Sequence, residues 1–305
     1  MSQAAGDTLP RSLWIYVAGL SLVWGMNWPV MKIVVAEVPP WTFRALCFLS
    51  AFAGLLGIAA LRRQRLLPVG GWGRITLVGL FTASLNSIPL MLGLAQLPAG
   101  RTVVLYYTMP VWSVLLAAWL LGEPFTLRRV VGIVSGLVAV LLVALPALRG
   151  QDFPLGGVGL VLLSAMSWAI ATVLQKKLPV PLPSSSYSAW VMLIGGIPVY
   201  LMVPLLEAER LAALGPVSAS AIGGVLYNMF AVFILGWWIW MRIVERAPAG
   251  VAALSSLATP VVGVTGGMLL LGERPAWTDY AALAAVTLAM ASVTLPTGRG
   301  RRTAA

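Results

Sequence analysis

Two stretches of the chain share one pattern and decide the fold. Residues 98–124 read PAGRTVVLYYTMPVWSVLLAAWLLGEP, and residues 248–274 read PAGVAALSSLATPVVGVTGGMLLLGER. Aligned without gaps, ten of the 27 positions are identical, among them the opening Pro-Ala-Gly, the central Pro110 and Pro260, and the closing Leu-Leu-Gly-Glu. The chain therefore contains an internal duplication.

The composition around these stretches is that of a membrane protein. Of the 305 residues, 60% are hydrophobic and 10% are charged, whereas a soluble domain carries about 25% charged residues. So much apolar surface cannot be buried in one soluble core, which excludes a water-soluble enzyme, and the same content excludes disorder. The sequence has no His and one cysteine, Cys47. It therefore predicts no intrachain disulfide, no His/Cys metal site and no cofactor.

Apolar runs long enough to cross a bilayer as helices recur ten times, separated by Pro and Gly clusters. The first run is expected to be a permanent helix rather than a cleaved signal peptide, because it contains Asn27 and Lys32 and lacks a cleavage site. The predicted helices cover residues 13–36, 41–61, 73–95, 99–121, 127–146, 156–175, 187–206, 218–241, 249–271 and 277–295.

The duplication groups these helices into two units of five. The long match relates the fourth helix to the ninth, and a weaker match around Trp24 and Trp168 relates the first to the sixth. Because five is odd, the second copy inserts in the opposite orientation, an arrangement found in secondary transporters with a site between the halves. We predict an all-α polytopic membrane protein with ten transmembrane helices, arranged as two inverted five-helix repeats around a central cavity. The repeats cover residues 13–147 and 156–295, and residues 1–12 and 296–305 form cytoplasmic tails.

Lys and Arg are distributed unequally between the two sides of the predicted membrane. With a cytoplasmic N-terminus, fourteen lie on the cytoplasmic side and four on the other, which fits an even number of spans with both ends inside. The same asymmetry explains the net charge of +11 without a nucleic-acid partner. The expected partners are the lipid bilayer and a small-molecule substrate, and we expect a monomer in the cytoplasmic (inner) membrane of a bacterium.

The residues that carry the repeat resemble the drug/metabolite transporter superfamily, in its EamA-type branch. The resemblance rests on Trp24-Gly25 in the first helix, Pro39-Pro40 followed by Phe43-Arg44 in the second, and the paired blocks Pro110 to Glu123 and Pro260 to Glu273. It covers about residues 13–295. It implies a ten-helix exporter of small metabolites with a central cavity, most similar to bacterial amino-acid exporters.

Polar and aromatic residues inside the predicted helices are the candidate site. Trp24, Asn27 and Trp28 share one helical face with Met31, as a wall for apolar side chains with an amide for a charged group, or else as a packing face. Thr82 and Asn86 follow a second face that contains small residues, for which a cavity lining and helix contacts are both open. The other predicted lining residues are Tyr106, Tyr107, Trp168, Tyr227 and Ser256, the last beside Ser255 at the repeat position of the tyrosine pair.

Prolines inside helices remove a backbone hydrogen bond and permit bending, so Pro29, Pro110 and Pro260 are the predicted gating or hinge positions. Near the cytoplasmic end of the eighth helix, a cluster of tryptophans predicts an interfacial belt. The belt consists of Trp237, Trp238 and Trp240.

Charged residues near helix ends are expected to have structural roles. Lys32 and Arg44, with Glu37 between them, predict snorkelling side chains and an ion pair at the outer mouth, in preference to binding of a substrate carboxylate. The repeated Glu123 and Glu273 suggest that they hold a loop or a helix N-terminus.

The predicted helices contain no deep Asp, Glu or His, so transport without obligatory proton coupling is expected. A lining without deep Lys or Arg argues against phosphate-bearing substrates. The sequence thus favours alternating-access export of neutral or zwitterionic metabolites, foremost large hydrophobic or aromatic amino acids. The alternatives are export of nucleobases or hydrophobic drugs, with or without proton coupling, and a membrane scaffold without transport. An intramembrane enzyme is disfavoured because paired carboxylates and His are missing.

Overall fold

The computed structural model describes residues 11–122, 124, 126–151, 153–246 and 249–295, without the side chains of residues 11, 12, 121, 244–246 and 249–255. Within these ranges the chain is helical and contains no β-strand. The helices are α1 Arg11–Glu37, α2 Pro40–Leu61, α3 Trp72–Thr82, α4 Ser84–Gln96, α5 Ala99–Tyr106, α6 Met109–Leu121, α7 Leu127–Leu148, α8 Leu155–Lys177, α9 Ser184–Gly195, α10 Ile197–Leu206, α11 Ala208–Ala212, α12 Ala219–Leu226, a π-helix Tyr227–Gly236, α13 Trp237–Arg246, α14 Ala249–Leu271 and α15 Trp277–Thr294.

Eight helical segments of the described chain are long and apolar enough to cross a membrane. They are Leu13–Glu37, Pro40–Leu61, Trp72–Gln96, Ala99–Leu120, Leu127–Leu148, Leu155–Lys177, Ser184–Leu206 and Ala219–Ile243, and Ser256–Leu271 is a shorter apolar helix. The prediction of an all-α, multi-span protein is confirmed at this level. The count of ten spans and their inverted arrangement stay predictions.

Four predicted helices are interrupted rather than continuous. The third breaks at Ala83, the fourth at Tyr107 and Thr108, and the seventh at Gly196, while the eighth passes through the π-helix. The second segment of two of these pairs begins with a proline near its start, which donates no N–H to the preceding turn. Such interruptions are tolerated at membrane depth where neighbouring helices or a cavity cover the freed backbone groups.

The two halves of the chain pack against each other helix by helix. The most extensive pairs are α7 with α15, α1 with α14, α4 with α8 and α3 with α9, each joining a helix from before residue 150 to one after it. The α3–α9 contact depends on Gly79 and Gly195, because a Cβ on Gly195 would lie 2.2 Å from the carbonyl carbon and oxygen of Gly79. Glycine at both positions allows the backbones to approach this closely.

Acidic side chains at one end of the bundle hold helix N-termini. Glu37 accepts hydrogen bonds from the backbone N–H and the hydroxyl of Ser218, which precedes α12. Glu273 accepts from the N–H groups of Ala99 and Gly100 at the start of α5, with N···O distances of 2.6 and 3.0 Å. The predicted role of Glu273 at a helix N-terminus is thus confirmed. Its repeat partner Glu123 lies outside the described residues.

Two further acidic residues lie at this end, which we call the carboxylate end. Glu207 accepts from the backbone N–H groups of Trp41 and Thr42 at the start of α2. Asp279 pairs with Arg101 at 2.8 Å. The carboxylate end is therefore fastened by contacts between segments that are far apart in sequence.

The predicted ion pair of Lys32 or Arg44 with Glu37 is wrong. Lys32 donates to the carbonyl oxygens of Leu94, Ala95 and Leu97 and so covers the C-terminus of α4. Glu37 is occupied by Ser218 rather than by either cation. Free carbonyl groups at a helix C-terminus attract a cation, which explains why Lys32 turns there.

Candidate functional site

A cavity of about 130 Å³ lies among the helices of both halves. Eight of the ten predicted binding residues line it, together with Met31, Arg44, Ser87 and Trp237. The eight are Trp24, Asn27, Trp28, Thr82, Asn86, Tyr106, Tyr107 and Trp168. Whether they bind a substrate stays a prediction.

Aromatic rings form much of the cavity wall. The centroid of the Trp28 ring lies 5.2 Å from that of Tyr106 and 6.3 Å from that of Tyr107. The series continues from Tyr106 to Trp168 at 6.5 Å and from Trp168 to Trp237 at 6.2 Å. These rings contact one another edge-on or tilted, a geometry that aromatic pairs prefer, and present a broad apolar surface to the cavity.

The prediction of an interfacial belt is wrong for Trp237. Its ring lies within the bundle beside Trp168 and Trp24, and it lines the cavity. Trp238 differs, since its ring receives the guanidinium groups of Arg62 and Arg242 at 5.7 and 5.4 Å. The three tryptophans therefore do not act as one belt, because successive residues of a helix point in different directions.

The side-chain NH₂ group of Asn86 contacts the cavity wall. Its Nδ2 donates to the Tyr106 hydroxyl, to the Ser164 carbonyl and to Ser164 Oγ, at 3.2, 3.0 and 3.1 Å. Thr82 donates to the carbonyl of Val78 one turn earlier in its own helix. Both residues line the cavity, but their donors are occupied by protein.

Arg44 is a lining residue for which the sequence left substrate-carboxylate binding only as the less favoured alternative. It was predicted to snorkel at the outer mouth, yet it is 5% exposed and lines the cavity. Its Nη2 lies 3.2 Å from the sulfur atoms of both Met31 and Met91, and its guanidinium lies over the rings of Phe43 and Phe233. The available signal was its place one turn inside α2, since an ionisable residue within a membrane helix marks a functional site by default.

Arg44 also removes an argument against anionic substrates. The expectation of a lining without a deep cation is wrong, because this guanidinium borders the cavity. For carboxylates the expectation agrees with the structure, since the described lining contains no Asp or Glu. The sequence has no His. The electrostatic character of the cavity is thus set by one cation among aromatic rings and amides.

Two predicted binding residues lie outside the cavity lining. The hydroxyl of Tyr227 donates to the Val23 carbonyl at 2.7 Å and ties the π-helix to α1. Ser256 is half-buried in α14, and the side chain of Ser255 lies outside the described residues. Both predictions came from sequence position within a span, which does not fix the direction that a side chain takes in the bundle.

The three prolines occupy different settings. The helices α1 and α14 continue without interruption through Pro29 and Pro260. Pro110 lies in the first turn of α6, directly after the break at Tyr107 and Thr108. Of the three, only Pro110 adjoins a break beside the cavity, and a hinge role stays a prediction for each.

A known protein family matches the two halves of the chain separately. The model of the EamA-like transporter family matches twice, at residues 12–145 and 155–295. A "Probable amino-acid metabolite efflux pump" of Salmonella typhimurium is 28% identical over 257 residues, covering 83% of this chain and 84% of the relative. The "Uncharacterized inner membrane transporter YedA" of Escherichia coli is 26% identical over 278 residues, covering 90% and 88%.

A solved crystal structure shares the fold. It aligns with a TM-score of 0.65 at 20% sequence identity and covers 94% of this chain and 97% of that chain. The alignment therefore extends through both halves of the helical bundle.

Proposed function

Because the chain belongs to the EamA-like transporter family, we propose that this membrane transporter exports small zwitterionic metabolites, foremost large hydrophobic or aromatic amino acids. The observation that carries the proposal is the cavity of about 130 Å³, which is lined by aromatic rings, one cation and two amides. Ring faces suit an apolar side chain, and the polar groups suit a head group. The name of the Salmonella relative, an amino-acid metabolite efflux pump, supports this substrate class.

The proposed mechanism is alternating access by two inverted five-helix repeats. Two observations support it: the family model matches once in each half, and each half contributes helices to the cavity. In inverted repeats each half can adopt the shape of the other, which provides two conformations of similar energy. The proposed setting is the bacterial inner membrane with both termini in the cytoplasm, as the Lys and Arg distribution favours.

Transport is proposed to proceed without obligatory proton coupling. A proton carrier within the membrane is normally an Asp, Glu or His, and the described acidic side chains lie at helix ends at the carboxylate end. Four of these groups already hold backbone N–H groups or hydroxyls. The cavity itself therefore offers no carboxylate for a proton to occupy.

Uptake of radiolabelled amino acids into proteoliposomes tests the proposal. We expect saturable uptake of phenylalanine, tryptophan and leucine without an imposed proton gradient, and accelerated exchange when unlabelled substrate is preloaded. Protein-free liposomes are the control. Uptake that requires a gradient would overturn the proposed energetics, and absence of uptake for every amino acid would overturn the substrate class.

A further inference from the structure

Arg44 is a buried cation whose partners do not neutralise it. The structure shows it 5% exposed, with two methionine sulfurs and two aromatic rings around the guanidinium and no hydrogen-bond partner for Nε. No acidic side chain among the described residues lies within ion-pair distance of it. Thioether sulfur is a weak acceptor, and a guanidinium has five N–H donors, so most of its hydrogen-bonding capacity is unused. A buried charge normally has a counter-charge or full hydrogen bonding.

Whereas Arg44 has a buried donor without a partner among the described residues, Asn27, in α1, has a buried hydrogen-bond acceptor without one. Its Oδ1 is buried and has no hydrogen-bond partner in the described part of the protein. Asn27 and Arg44 line the same cavity. Asn27 precedes Met31 by one helical turn, about 6 Å along the axis, and the sulfur of Met31 contacts Arg44 Nη2. Among the residues described, an acceptor without a partner and a cation without a counter-charge therefore belong to two residues that line the same cavity.

We propose that Arg44 binds the carboxylate of the transported molecule and that Asn27 Oδ1 accepts a hydrogen bond from its ammonium group. The pair would select the head group of an α-amino acid, and the rings of Trp28 and Tyr106 would receive the side chain. The inference rests on the proposed function, since it assigns the head-group subsite of that cavity. A planar guanidinium suits a carboxylate because two parallel N–H groups can bind its two oxygens.

The arrangement also favours one carboxylate over a phosphate group. Lys32, a cation in α1, is occupied by three backbone carbonyls and does not line the cavity. A phosphate group would therefore meet a single cation with two negative charges. A zwitterion brings its own cation, so that the complex in the cavity adds no net charge to a low-dielectric region.

Binding of four phenylalanine-like probes to the full-length protein in detergent tests the inference by calorimetric titration. The probes are L-phenylalanine, phenylalaninamide, phenethylamine and 3-phenylpropionate, which separate the carboxylate from the ammonium group. Wild type should bind phenylalanine roughly 10- to 100-fold more tightly than the amide or the amine, since hydrogen bonds between charged groups are lost in both. R44Q should abolish this preference. N27A should leave it and instead abolish the preference for phenylalanine over 3-phenylpropionate.

R210Q is the matched control, because Arg210 is an exposed arginine at the carboxylate end, outside the cavity. It should bind all four probes as wild type does. If R44Q does not yield a monodisperse protein, R44K replaces it. The lysine keeps the charge but has no second parallel donor, so the preference for carboxylate should fall about tenfold. An unchanged preference in R44Q or R44K, or equal binding of phenylalanine and its amide by wild type, would overturn the inference.

The inference and the proposed function can fail separately. Transport of phenylalanine by wild type together with undiminished carboxylate preference in R44Q would leave the function standing and remove the role of Arg44. Absence of amino-acid transport, with binding of 3-phenylpropionate that depends on Arg44, would remove the proposed function and keep a carboxylate subsite.

Discussion

Removal of the Glu207 side chain should destabilise the protein by about 3 kcal/mol. The carboxylate is 3% exposed and accepts hydrogen bonds from the N–H groups of Trp41 and Thr42, at 2.9 and 2.7 Å, and from the Thr42 hydroxyl at 2.7 Å. The two N–H groups open α2, where the helix itself provides no acceptor. Glu207 thus fastens the end of α10 to the start of α2.

The magnitude follows from the bonds that the substitution removes. A hydrogen bond to a charged group contributes a net 1.5–3 kcal/mol, roughly. Glu207→Ala leaves two backbone N–H groups without the carboxylate, and the lower value for each gives about 3 kcal/mol. We assign nothing to the Thr42 hydroxyl, because it can rotate to another acceptor. Glu207→Gln keeps one acceptor oxygen and turns an amide N–H toward the second donor, so about half the loss is expected.

Thermal unfolding of the purified protein in detergent, followed by tryptophan fluorescence, measures this loss. An unfolding entropy of about 2.1 cal/mol/K per residue gives about 0.64 kcal/mol/K for 305 residues, so a loss of about 3 kcal/mol should lower the melting temperature by about 5 °C. Glu209→Ala is the matched control, because Glu209 is exposed two residues further on in α11. A melting temperature for Glu207→Ala within about 1 °C of this control would refute the idea that the carboxylate holds α2.

Two other substitutions test the packing and the cavity wall. Gly195→Ala would place a Cβ 2.2 Å from the backbone of Gly79, so α3 and α9 must separate. The melting temperature should fall by about 2–5 °C, from an overpacking cost of about 1–3 kcal/mol. Gly57→Ala, with open space around the added Cβ, should leave the melting temperature unchanged. Trp28→Ala removes a ring from the cavity wall and should weaken the apparent affinity for phenylalanine about 3- to 10-fold in proteoliposome uptake. Trp119→Ala is its control, since Trp119 is 80% exposed; equal effects of the two would contradict a role for Trp28 in the cavity.

The helical spacing of residues was sufficient to predict which face of α1 borders the cavity. Trp24, Asn27 and Trp28 recur at helical spacing, and a helix holds residues at such spacing on one side whatever surrounds it. The same reasoning placed Thr82 and Asn86 correctly at the cavity. It failed for Tyr227, because a hydroxyl in the middle of a span can equally turn to a neighbouring helix, here to the Val23 carbonyl.

Arg44 shows why charged positions were harder to interpret. From sequence, an arginine one turn inside a helix can extend outward to the interface or inward to the bundle, since its long side chain reaches both. In the structure the Arg44 side chain points into the bundle. Its guanidinium contacts Met31, Met91 and Phe233, which belong to three other helical segments. These partners are set by packing, and nothing near Arg44 in the sequence encodes them.

The apolar composition, the helical segments, the duplication and the family could all be predicted from residue type and from local or regular spacing. The pairing of each acidic side chain with a helix N-terminus, and the cation that lines the cavity, became known only from the packing of the helices. Glu207 and Trp41 are 166 positions apart, and Glu273 and Ala99 are 174 apart. Such pairs form only when distant helices pack, since the backbone groups exposed at a helix end accept any suitable partner that the fold brings close.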